Sequence, residues 1–205
     1  MCVCGDAVSD GVVCAFCGAV AHRACAAAAS CACLGSRGAP SENGLVRSRA
    51  TLVVCPAAIA GQWKGELARH APSLMVAEYP GVQALQKSAR AARRAVDNPR
   101  TRNYGRALQS LGDCLRRLDG SALRQADVVL TTFGALRSDR YYQPQQAYNA
   151  RVPPSPLLTT DWRRVCLDEA QVVRGGATAA ATVARKLSAD RRWCVSGTPI
   201  AAGGL

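Results

Sequence analysis

The chain has 205 residues, 49% of them apolar and only 5% aromatic, with 26 Lys and Arg against 14 Asp and Glu and a formal net charge of +12. That size fits one domain with at most a small appendage, and the apolar fraction excludes wholesale disorder. The positive excess points to a polyanionic partner, nucleic acid before membrane surface, although a merely solvated basic face carries the same charge.

In chain order, the first segment is residues 1–34, which hold seven of the eleven cysteines. They follow neither a basic n-region nor an uninterrupted apolar stretch, so a secretory leader is not expected. His22 and Arg23 break the small-residue run from Gly11 to Ser30, so a membrane span is not expected either. The reading is an intracellular, reducing compartment in which thiolates serve metal. Candidate ligands are Cys2, Cys4, Cys14, Cys17, His22, Cys25, Cys31 and Cys33. Zinc takes four N or S ligands at tetrahedral angles, and closely spaced pairs each supply half a site, so these eight would close two Zn²⁺ centres.

Residues 35–50 are rich in Gly, Ser and Pro and read as a linker. From Thr51 short apolar runs alternate with helical patterns. Strands are expected at Thr51–Cys55, Leu74–Tyr79, Val128–Thr132, Val165–Asp168 and Trp193–Ser196, and helices at Ile59–His70 and Ala177–Leu187. Near-continuous apolar strands of this kind belong to a parallel sheet covered on both faces, so the expected class is α/β over 51–205. A basic insertion of about 83–125 interrupts the rhythm. It holds Lys87, Arg90, Arg93, Arg94, Arg100, Arg102, Arg106, Arg116, Arg117 and Arg124 against Asp97, Asp113 and Asp119. It could track phosphates or be a solvated loop, and Asp97-Asn98-Pro99 divides it into two halves. A second loop-like insertion is expected from Gln143 to Pro156.

The most informative run is Trp162-Arg-Arg-Val-Cys-Leu-Asp168-Glu169-Ala170-Gln171. A strand that ends in two carboxylates presents them at the rim where α/β sheets bind ligands. The first suits a hard cation and the second can polarise water. An acidic helix start would give the same pair, so the flanking segments carry the distinction.

Four of them, in order, resemble the first ATPase lobe of the Swi/Snf-related DNA translocases: Thr51-Leu-Val-Val-Cys-Pro56 with Gln62-Trp63 and Glu66; Asp127-Val-Val-Leu-Thr131-Thr132-Phe133; Leu167-Asp168-Glu169-Ala170-Gln171; and Arg192-Trp193-Cys194-Val195-Ser196-Gly197-Thr198-Pro199. The cysteine-histidine order of residues 1–34 resembles a PHD-type finger, in which alternate pairs share a metal. That resemblance would put Cys2, Cys4, His22 and Cys25 on one zinc and Cys14, Cys17, Cys31 and Cys33 on the other. It departs from the pattern in the short Cys25–Cys31 spacing and in Val20 where an aromatic residue is usual. Phe16 is the segment's single aromatic residue, so a methyl-lysine cage is not expected.

A finger directly upstream of these motifs is similar to the SHPRH-type ubiquitin-protein ligases. The resemblance implies an incomplete RecA-like P-loop helicase lobe, a parallel sheet with flanking helices, carrying an N-terminal cross-braced zinc finger. It implies a nuclear protein of chromatin or DNA repair whose parent hydrolyses ATP with Mg²⁺ on DNA. Asp168, Glu169 and Gln171 would be catalytic, Ser196, Gly197 and Thr198 would couple hydrolysis to movement, and Gln62, Thr131 and Thr132 would face DNA. Histone or nucleosome would be a further partner, and a ubiquitin-conjugating enzyme would be met only through other domains. No Gly-x-x-x-x-Gly-Lys-Ser/Thr loop occurs in the sequence, so the isolated chain is expected to be inactive. The alternative is a non-catalytic, zinc-stabilised module that binds DNA or histone.

Overall fold

A computed structural model describes residues 45–98, 102–144, 153–174 and 178–198, together with the backbone of residues 11–13 and 20–22. Those two short segments, β1 (Gly11–Val13) and β2 (Val20–His22), pair antiparallel, Gly11 opposite His22. The eight expected zinc ligands otherwise lie outside the described residues, as does Pro199.

The main body is built on β3 (Val46–Cys55), α1 (Ala57–His70), β4 (Val76–Tyr79), α2 (Val82–Asp97), α3 (Tyr104–Leu118), α4 (Ser121–Gln125), β5 (Val128–Thr132), α5 (Phe133–Ser138), α6 (Pro156–Thr159), β6 (Thr160–Asp168), α7 (Ala179–Lys186) and β7 (Ser188–Val195). Five strands form one wholly parallel sheet in the order β4–β5–β3–β6–β7. Parallel pairing brings the carboxyl ends of all five to one rim. The chain enters at β3 in the middle, builds β4 and β5 to one side, then crosses to β6 and β7 on the other. The reversal falls between β3 and β6, which is where open α/β sheets form a crevice.

Both faces of the sheet are covered, unequally. Leu52, Val54, Val129 and Val165 face a large cluster closed by Val82 and Leu85 of α2, Leu123 of α4, Leu136 of α5, and Ala180 and Val183 of α7. Val53, Val128, Leu130 and Cys166 face the other way, onto Trp63 and Leu67 of α1. The aliphatic run Leu52-Val53-Val54 is therefore buried on both sides, which explains its unbroken apolar pattern. Leu52 has no exposed surface; truncating it to Ala would cost about 2–5 kcal/mol through lost transfer and a cavity.

The linker expected over 35–50 gives way at Val46, because residues 46–50 are the amino-terminal half of β3, paired with β6 across a register shift between Ser48 and Thr51. Within the expected insertion stand two long amphipathic helices, α2 and α3, packed on one another. Strand β7 departs from the doubly covered pattern. It is an edge strand, mostly exposed, with Arg164 stacked 4.9 Å from the ring centre of Trp193.

A buried carboxylate ties the second side of the body together. Asp139, fully enclosed, accepts from the Tyr79 hydroxyl at 2.6 Å, the Val82 amide at 3.1 Å and the Ser155 hydroxyl. Gly81 takes φ of 99° where the chain turns past that carboxylate. No helix of the described residues is long and apolar enough to cross a membrane.

Candidate functional site

Asp168 closes β6, and Glu169 immediately turns the chain with φ 51° and ψ 50°, the one described non-glycine residue at positive φ. Left-handed backbone costs an ordinary residue about 1–2 kcal/mol. Here it bends the chain sharply enough that Asp168 and Glu169 both remain at the rim, ahead of the short 3₁₀ turn Ala170–Val173. The expected pair is therefore at a sheet edge and not at the start of a long helix.

Among the described residues, each carboxylate oxygen of Asp168 has one donor. Oδ1 accepts from the Glu169 amide at 2.9 Å, and Oδ2 accepts from the Trp63 indole nitrogen at 2.7 Å. A carboxylate oxygen offers two lone-pair positions, so each oxygen keeps one. Mg²⁺ prefers one or two carboxylates with several retained waters, and a carboxylate held in this way fits it. Among the described residues no group of three or more His, Cys, Asp or Glu side chains converges to hold a metal, so a cation here would be largely hydrated. Asp168 and Glu169 line a cleft of about 430 Å³ with Ile59, Gln62, Trp63 and Glu66 of α1. It lies at the β3/β6 reversal. Two thiols sit behind it: burial first, and the Asp168 charge second, push Cys55 and Cys166 above the ordinary thiol range, which keeps both protonated and inert.

A relay of polar contacts leaves the cleft along the rim. The Gln171 amide donates to Glu169, and its carbonyl oxygen accepts from the Ser196 hydroxyl at 2.8 Å. The Ser196 hydroxyl in turn accepts from the Thr198 amide at 3.0 Å, drawing the chain after β7 into a tight turn with Gly197 at its centre. A Cβ at Gly197 would meet nothing, so that glycine supplies freedom and not clearance. Five of the six residues expected to be catalytic or coupling (Asp168, Glu169, Gln171, Ser196 and Thr198) thus make specific polar contacts, and Gly197 lies between the last two.

The residues expected to face nucleic acid separate. Gln62 lies exposed in the cleft wall. Thr132 is half-buried at the end of β5, where its hydroxyl accepts from the Ala135 amide at 3.2 Å and caps α5. Thr131 points the other way. It is 2% exposed and donates to the Tyr79 carbonyl at 2.8 Å across the β4–β5 pair, so it presents nothing at the rim. Two residues at the cleft were not singled out from sequence, although the motif around Gln62 contains both. Trp63 holds Asp168, and Glu66, paired with His70 at 3.1 Å, adds a carboxylate to the wall.

Comparison with known proteins places these features in company. A family model described as the SNF2-related domain matches residues 17–204. The E3 ubiquitin-protein ligase SHPRH of Mus musculus is 33% identical over 174 residues, which are 77% of this chain and 8% of that protein. The DNA repair protein RAD5A of Arabidopsis thaliana is 29% identical over 78% of this chain and 12% of its own length. Among solved structures, the Sulfolobus solfataricus SWI2/SNF2 ATPase core in complex with dsDNA is 20% identical with a TM-score of 0.44, over 74% of this chain and 22% of that one.

Proposed function

The chain belongs to the SNF2-related domain family, and on that premise we propose that it is part of the first lobe of a DNA-dependent ATPase of the SHPRH type, working in the nucleus on chromatin or in DNA repair. It spans about a tenth of the length of the relatives it matches, so ligase activity and a ubiquitin-conjugating partner are attributed to a longer protein.

The observation that carries the reading is the contact chain from the acidic turn to the end of β7. Asp168 would take the hydrated cation, held in orientation by the indole of Trp63 and the Glu169 amide. Glu169 would polarise the attacking water. Bound Mg²⁺ with ATP supplies the phosphoryl group and neutralises charge that develops on it. Gln171, shared between Glu169 and Ser196, would transmit the state of that site to the segment after β7. Gln62, in the same wall as Trp63, would meet the DNA backbone. Residues 1–34 would hold two Zn²⁺, with histone or nucleosome as a further contact.

The test is Glu169→Gln in a longer protein that carries this lobe. DNA-stimulated ATP turnover should be lost while nucleotide binding persists. Unchanged turnover would remove Glu169 from the chemistry and leave the alternative, a zinc-stabilised DNA- or histone-binding module without catalysis.

A further inference from the structure

The amino-terminal halves of β3, β6 and β7 gather arginines on one side of the sheet. Residues 47, 49, 51 and 53 alternate onto one face of β3, because Ser48, Ala50 and Leu52 are buried on the other. Helix α1 covers that first face at Val53, through Trp63 and Leu67. Arg47 and Arg49, further back along the strand, are exposed. Thr51, Arg164 and Arg191 stand opposite one another in register across the three strands. The Arg164 guanidinium donates to the Thr51 hydroxyl at 3.3 Å, which puts this row on the same face. Arg47, Arg49, Arg163 and Arg191 line a depression of about 310 Å³ together with Asp161 and Asp190. At about 3.3 Å per residue, roughly 16 Å of β6 separates Arg163 from Asp168, so this depression is distinct from the acidic cleft.

Such crowding calls for a counter-charge. Like charges directly opposite on neighbouring strands destabilise a sheet, and Arg164 faces Arg191 in that way. Charged side chains on an edge strand guard it against unwanted pairing. That accounts for Arg191 on β7, but not for Arg47, Arg49 and Arg163 on strands that have neighbours on both sides. The carboxylates relieve little of the excess. Asp161 accepts from the Ser188 hydroxyl at 2.7 Å and lies 3.9 Å from Nε of Arg47. Among the described residues, Arg49, Arg163 and Arg191 pair with no carboxylate. Four guanidinium groups against two carboxylates leave two positive charges uncompensated. A phosphomonoester carries about −1.5 to −2 at neutral pH on three acceptor oxygens, and guanidinium forks meet such oxygens in pairs. A nucleic-acid strand fits less well, since each phosphodiester brings a single charge and its successive phosphates would pass Asp161 and Asp190. A peptide can instead set a Lys or Arg beside its phosphate to meet Asp190, which is exposed. We propose that Arg47, Arg49, Arg163 and Arg191 bind the phosphate of a phosphoserine or phosphothreonine in a peptide segment that carries a basic residue next to it.

The test uses the whole chain and a short fluorescein-labelled peptide with one central phosphoserine and a Lys on either side. Anisotropy should report binding, and the same peptide with unmodified Ser should not bind. Arg163→Gln and Arg191→Gln should each weaken binding about tenfold or more, through loss of charge-assisted hydrogen bonds. Both positions are exposed, so circular dichroism should not change. The thermal midpoint of Arg191→Gln should hold or rise, because the like-charged pair is gone. Asp190→Asn should abolish the preference for this peptide over one with Gly in place of each Lys. No binding by the phosphopeptide, equal binding by the unmodified one, or unchanged affinity in both Gln variants overturns the proposal. A preference for Lys that survives Asp190→Asn overturns the basic neighbour. Displacement of the peptide by an equal concentration of inorganic phosphate would make the cluster a free-ion site and overturn the proposal as well. So would displacement by a single-stranded oligonucleotide whose affinity the same Gln variants lower, which would make it a nucleic-acid face.

Discussion

The Trp63 indole nitrogen donates to Oδ2 of Asp168 at 2.7 Å, joining residues 105 positions apart. Trp63 also packs against the Val53, Leu130 and Cys166 cluster, so the ring is gripped by the sheet while its N–H points at the acidic rim. Helix α1 and the end of β6 are therefore fastened together at the crevice where strand order reverses.

A double-mutant cycle isolates that bond. Trp63→Phe keeps an aromatic ring against the sheet and removes the donor; Asp168→Ala removes the acceptor. A hydrogen bond to a charged group contributes about 1.5–3 kcal/mol, so urea unfolding of the two single variants and the double should show a coupling energy near the lower end of that range, given partial exposure. Additive effects, within about 0.5 kcal/mol, would mean that the two side chains do not meet in solution.

The Gln171–Ser196 contact predicts a different phenotype. Both side chains are near the surface, so Ser196→Ala should move stability by no more than about 0.5 kcal/mol. In a longer protein that carries this lobe, the same substitution should lower DNA stimulation of ATP turnover about tenfold with KM for ATP unchanged, because it cuts transmission and not nucleotide contact. A parallel rise in KM would assign Ser196 to the nucleotide itself.

How much of this was legible depends on local chemistry. Strand β5 coincides with the run Val128–Thr132, rich in β-branched residues, and the acidic turn follows from motif spacing. Strands β3 and β6 begin earlier than their apolar runs suggest, at Val46 and Thr160, because their first halves mix charged residues with buried Ser48, Thr160 and Trp162. Strand β7 was visible only at its carboxyl end, since Ser188 to Arg192 is polar in keeping with an exposed edge. Assigning both Thr131 and Thr132 to one surface conflicts with the two-residue period of a strand, which sends neighbours to opposite faces. The Trp63–Asp168 bond depends on how α1 lies over the sheet, which no local pattern encodes.

The cysteine-rich start makes a stoichiometric prediction. Eight candidate ligands, Cys2, Cys4, Cys14, Cys17, His22, Cys25, Cys31 and Cys33, would close two tetrahedral centres. Elemental analysis of the purified chain should find close to two zinc equivalents, and chelation should release both along with titratable thiols. Absence of zinc together with free thiols in the untreated protein would reject the cross-brace.

Asp139 contributes a pH-dependent part of the stability of the body. Burial raises its folded-state pKa, while donors from Ser155, Tyr79 and the Val82 amide pull it back without cancelling that rise. Tyr79 is pushed up as well, by burial and then by the Asp139 charge, so its hydroxyl stays a donor throughout. The unfolded chain returns Asp139 to the ordinary carboxylate range near 3.9. Between that range and the raised folded value, the native state binds more protons than the unfolded one, so stability falls as pH rises. The stabilising contribution is fully present below the unfolded pKa and is lost as pH climbs through the folded one. Asp139→Asn cannot ionise and should lack this slope. Urea midpoints from pH 4 upward should decline in the wild type relative to the variant and then run parallel. If the difference between the two stays constant across that range, Asp139 keeps an ordinary pKa in the folded protein.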